Sequence, residues 1–137
     1  IGIKVDFFRQ KWPDLLKAAR LGQLQMWRLG NISTTPEGFG FYGLLYGDYA
    51  GFSNLARFKL AEYDRTFEQA RALPDGAERT RLSRQMSQLV SAYAPWVLLA
   101  YRYESVLVHP WVEGFKYNPS YPHPWAYLDV DTQRRNR

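Results

Sequence analysis

Residues 1–8, IGIKVDFF, alternate in polarity and are rich in large apolar side chains, so they read as a strand. Trp12-Pro13-Asp14 then opens a helix. Proline suits the first turn, and Asp14 there complements the positive end of the helix dipole. Leu15, Leu16, Ala19 and Trp12 supply the buried stripe, and Gly22 marks the stop. Residues 24–29 read as a second strand. Strand, helix and strand together take about 30 residues, the length expected for a parallel crossover. That β-α-β unit constrains the chain most, because it predicts an α/β fold with a parallel pair at its start. A chain that opens inside a strand, with no Met and no polar lead-in, is also expected to be a piece of a longer one.

Two amphipathic helices are predicted further on. Leu60, Tyr63, Phe67, Ala70 and Leu73 recur at helical spacing, Pro74-Asp75-Gly76 is a turn, and Leu82, Met86, Leu89, Val90 and Tyr93 mark a second helix starting near Ala77. Pro95 ends it. Residues 96–103 are apolar and β-prone, which predicts a third strand, and residues 104–112 read as a short strand or an extended segment. Pro110, Pro119, Pro122 and Pro124 give the C-terminal part the look of an extended tail, ordered last at residues 125–130.

Between the second strand and these helices lies a different kind of sequence. Residues 30–54 hold Gly30, Gly38, Gly40, Gly43, Gly47 and Gly51 among Phe39, Phe41, Tyr42, Tyr46, Tyr49 and Phe52, with no Lys or Arg. A connection that long is functional or hides a short helix, and residues 41–46 suit that helix. Gly38, Gly40 and Gly43 spell G-x-G-x-x-G. The dinucleotide fingerprint needs those glycines directly between a strand and a helix, whereas here five residues from Ser33 to Glu37 intervene and bulky rings crowd the motif. Stacking on single-stranded nucleic acid wants cations among the rings, and none is present. Core packing accounts for most of the aromatics. For the rest, the stretch fits a neutral pocket lined by rings and small polar groups.

The remaining chemistry is weighed residue by residue, and a Ser-His-Asp triad, which assembles in space, stays open on spacing alone. With no Cys there are no disulfides, thiolate metal sites or thiol nucleophiles. His109 and His123 are the two histidines, each followed by Pro, and neither has metal-ligand spacing. No G-x-S-x-G or paired acidic set supports catalysis, and no catalytic residue, metal or cofactor is expected. No apolar run reaches the roughly 18 residues a membrane span needs. The net charge of +5 looks basic, but Arg134, Arg135 and Arg137 lie in the last four residues, and residues 1–133 carry only +2. The basic tail is therefore read as a solvated end and not as a nucleic-acid surface.

Ligands of open α/β sheets bind beyond the carboxyl ends of strands, and the segment after Leu29 is such an end. Arg28 suits a bidentate grip on a carboxylate, and Trp27 or Phe41 suits stacking. Core packing is an equal reading of Trp27.

Several stretches, in order, resemble the family 5 extracellular solute-binding proteins, the peptide, dipeptide and nickel binders of ABC importers. They are GIKVDFFRQKWPDLLKAARLGQLQMWRLG, then Asn54 ahead of LARFKLAEYDRTFEQARAL, then ERTRLSRQMSQLVSAYAPWVLLAYRYESVLVHPWVEGF. The resemblance implies a periplasmic-binding-protein-like lobe of α/β class, with a β-α-β unit, two further helices and a third strand. It places residues 1–118 in the C-terminal lobe and leaves residues 119–137 as a Pro-rich extended segment with a basic tail. It further implies a monomer, periplasmic or lipid-anchored on the outer side, that closes by a hinge on a peptide or other small solute and serves an ABC permease. In peptide-binding members an acidic residue in the loop after the second strand, in a pattern like W-x-x-D, holds the peptide amino terminus. Here Ser33 or Thr34 falls near that position and the loop has no Asp. The candidate ligand-binding set is Trp27, Arg28, Gly30, Asn31, Ser33, Thr34, Phe41 and Asn54. The competing reading is an aromatic-rich module that binds carbohydrate or protein.

Overall fold

A computed structural model of the chain describes residues 2–33, 37–101, 103, 105–117 and 124–135. It divides into two compact units, Ile1–Asn31 with Phe39–Trp96, and Ile32–Gly38 with Val97–Arg137.

The first unit is helical. Helix α1, Trp12–Leu21, has Pro13 and Asp14 in its first turn and Arg20 in its last, matching the dipole at both ends. Gly22 closes it in the left-handed conformation (φ 71°), donating its N–H to the Ala19 carbonyl. Of the predicted stripe Ala19 is buried, Leu15 and Leu16 are half-buried and Trp12 is exposed. The hidden helix of the glycine-aromatic stretch is α2, Gly40–Gly43, followed by a 3-10 turn at Gly47–Tyr49.

Helices α3, Ala61–Arg71, and α4, Ala77–Tyr93, pack on each other and carry the core. Tyr63, Phe67 and Ala70 from α3 meet Leu82 and Met86 from α4, with Leu45 and Tyr46 closing the cluster from the preceding loop. Tyr63 and Met86 are fully buried. A buried phenol needs a partner, and the Tyr63 hydroxyl donates to the Tyr42 carbonyl at 2.8 Å. The Phe39 and Phe67 rings stack 5.7 Å apart, with the Arg79 guanidinium over Phe39 at 4.0 Å. Gly43 brings α2 against the Phe67 ring, which a Cβ there would meet at 3.4 Å, an ordinary van der Waals contact. Ala94 ends α4 in the left-handed conformation, and Pro95 blocks its continuation.

The second unit holds the sheet. Strand β1, Val112–Glu113, pairs antiparallel with β2, Asp129–Val130, setting Val112 opposite Val130. A 3-10 turn, Pro124–Tyr127, precedes β2, and a short helix α5, Thr132–Arg135, follows it. Asp131 caps α5 by accepting from the Gln133 and Arg134 N–H groups, and its other oxygen lies 3.2 Å from Arg134 Nε. Order therefore extends past the expected last segment, residues 125–130, to Arg135.

Helices and a small sheet together are consistent with the α/β class, and both predicted further helices form. The predicted strands are corrected. Among the described residues, 2–8, 24–29 and 96–103 form no strand, so neither the β-α-β unit nor the third strand is present. A strand exists only through its ladder, and no described residue pairs with these segments. Most of their large apolar side chains are left in solvent, with Phe7 91% and Tyr101 100% exposed, while Leu24, Trp27 and Trp96 are half-buried.

Two outcomes follow from this packing. Met86→Ala removes a fully buried side chain from the α3–α4 seam and is expected to cost about 2–5 kcal/mol in denaturant unfolding. Burial first, then the neighbouring Tyr42 and Asp64, hold the Tyr63 phenol well above its ordinary value. A group whose folded pKa is raised stabilises fully below its unfolded value, about 10 for tyrosine, and that stability is lost as pH rises beyond it. Phenolate absorbance followed against helical signal as pH rises should therefore show Tyr63 ionising only as the helical signal is lost.

Candidate functional site

The candidate residues fall into different settings. Trp27, Arg28, Gly30 and Asn31 lie in irregular backbone of the first unit, with Trp27 half-buried and the other three exposed. No hydrogen bond or ring contact joins them to Phe41 or Asn54 among the described residues. Phe41 is half-buried in α2. Ser33 is a half-buried residue of the second unit, and Thr34 lies outside the described residues.

Asn54 is built for a different task. It is fully buried, and both ends of its amide are used on backbone. Nδ2 donates to the Tyr46 carbonyl at 3.0 Å and to the Phe58 carbonyl at 2.8 Å, while Oδ1 accepts the Phe58 N–H at 3.3 Å. A buried amide satisfied on three bonds has little left for a ligand, and here it pins the two sides of the 46–58 loop together. Arg57 does similar work nearby. Held at a positive φ of 54°, it sends its guanidinium to the Arg20 carbonyl at the C-terminal end of α1. A Cβ at Gly22 would meet that guanidinium at 2.5 Å and one at Gly51 would meet it at 3.2 Å, so two glycines make room for it.

The sequence reading also missed a polar cluster on the outer edge of the core. The Tyr46 hydroxyl donates to Glu68 Oε1 at 2.5 Å and to Asp48 Oδ2 at 3.0 Å. The Glu68 hydrogen bond first, then burial and Asp48, push its phenol up. Asp64 Oδ1 accepts the Gly47 N–H at 2.7 Å, and the Arg71 guanidinium lies 5.6 Å from the Tyr46 ring centre. A lone tyrosine in an aromatic run gives no sign that acids two and 22 residues away converge on it. In the second unit the exposed His109 stacks on Trp111 with centres 4.1 Å apart. Among the described residues no group of three or more His, Asp or Glu side chains is placed to hold a metal ion, and no helix is long and apolar enough to cross a membrane.

Asn54 and Arg28 should separate in a stability measurement. Asn54→Ala removes a fully buried amide and its three hydrogen bonds, leaving the part-buried Phe58 N–H and carbonyl short of a partner, which costs about 1–3 kcal/mol. Arg28→Ala, on an exposed residue, should change stability by no more than about 0.5 kcal/mol. Comparing the two unfolding midpoints under one denaturant checks both.

No protein-family model matches the chain, and no solved structure does. Curated proteins do match. Heme-binding protein A of Haemophilus influenzae is 30% identical over 120 residues, 87% of this chain and 22% of that protein. The probable deoxycholate-binding periplasmic protein YgiS of Escherichia coli is 28% identical over 120 residues, again 87% of this chain and 22% of the relative. Di/tripeptide-binding protein 4 of Pseudomonas aeruginosa is 28% identical over 86% of this chain and 22% of its own length. The chain thus spans about a fifth of the length of the curated relatives it matches. Over most of its residues, the chain is a sequence relative of the family 5 extracellular solute-binding proteins.

Proposed function

We propose that this chain is part of the substrate-binding component of an ABC importer, a periplasmic binding protein that captures a small solute and delivers it to a membrane permease. The observation that carries the reading is the run of about 120 residues shared with several proteins named for what they bind. Those names cover heme, deoxycholate and di- or tripeptides at similar identity, so the solute is a peptide or another small molecule. On this reading the protein is a monomer that binds its solute without converting it. Residues 1–118 form part of its C-terminal lobe, which closes on the ligand by a hinge.

The ligand-facing element is the segment around Trp27, Arg28, Gly30 and Asn31, with Ser33, Thr34 and Phe41 as further contacts. Arg28 supports this best, because an exposed guanidinium with no carboxylate partner among the described residues is available for an anionic group on a solute. Asn54 contributes by holding the 46–58 loop in shape.

The test uses the full-length protein that carries this chain, purified without refolding. Native mass spectrometry should find a non-covalently held small solute, or a thermal-shift screen of dipeptides, deoxycholate and heme should find one that stabilises the protein. For a solute bearing a carboxylate, Arg28→Ala should cost about 2–5 kcal/mol of affinity while leaving the melting temperature of the unliganded protein unchanged. A protein that holds no solute and is shifted by none of the three classes would overturn the reading. An Arg28→Ala variant with parental affinity would move the site elsewhere on the chain.

A further inference from the structure

We draw no further inference here: the strongest candidate, the run of exposed apolar side chains in the second unit that includes Val97, Leu98, Leu99, Tyr101 and Leu107, is an unpartnered apolar face, and nothing in the structure shows what covers it.

Discussion

The first unit depends on one buried amide. Asn54 sits with no solvent exposure between the backbone of Tyr46 and that of Phe58, and its three hydrogen bonds do for the loop what a ladder does for a strand. Leu45 and Tyr46 enter the core from one side of that closure, and Phe58 and Leu60 pack against it from the other. The α3–α4 pair then has a third wall. Without the closure, the seam around Tyr63, Phe67 and Met86 would face water along one edge, and burial of those apolar side chains is the main favourable term available to a unit of this size.

Arg57 extends the same economy to α1. That helix buries a single residue, Ala19, so packing alone holds it weakly. The guanidinium between Gly22 and Gly51 ties its C-terminal end to the closed loop through the Arg20 carbonyl. The segment that follows α1 and carries Trp27 and Arg28 therefore starts from an anchored point. This ordering, from closed loop to helix end to exposed cation, is the physical link between the core and the proposed ligand-facing residues.

The helices were legible because their signals are local. Leu60, Tyr63, Phe67, Ala70 and Leu73 reveal a buried face without reference to any distant residue, and Gly22, Gly76 and Pro95 mark ends by backbone chemistry alone. The strands were not legible in the same way. Alternation in residues 1–8 and apolar content in residues 96–103 describe segments that would suit a sheet, but a sheet is a pairing, and these segments find no described partner within this chain. The pairing that does form joins Val112, at the end of a stretch read as a short strand or an extended segment, to Val130, and no local signal names the partner. Nothing local in the sequence shows that Asn54 is held as a structural amide or that Asp48 and Glu68 converge on Tyr46, because both arrangements depend on the folded loop.

Order in this chain comes from the helical unit closed by Asn54, and not from the sheet that its apolar segments suggest. Hydrogen exchange on the 137-residue chain tests this most directly. Amides of Phe67, Ala70, Met86 and Leu89, inside α3 and α4, should exchange slowest, while those of residues 2–8 and of Val97, Leu98 and Leu99, which have no described acceptor, should exchange at once. Protection of the two apolar segments equal to that of α4 would mean that they pair as strands, and would contradict the account.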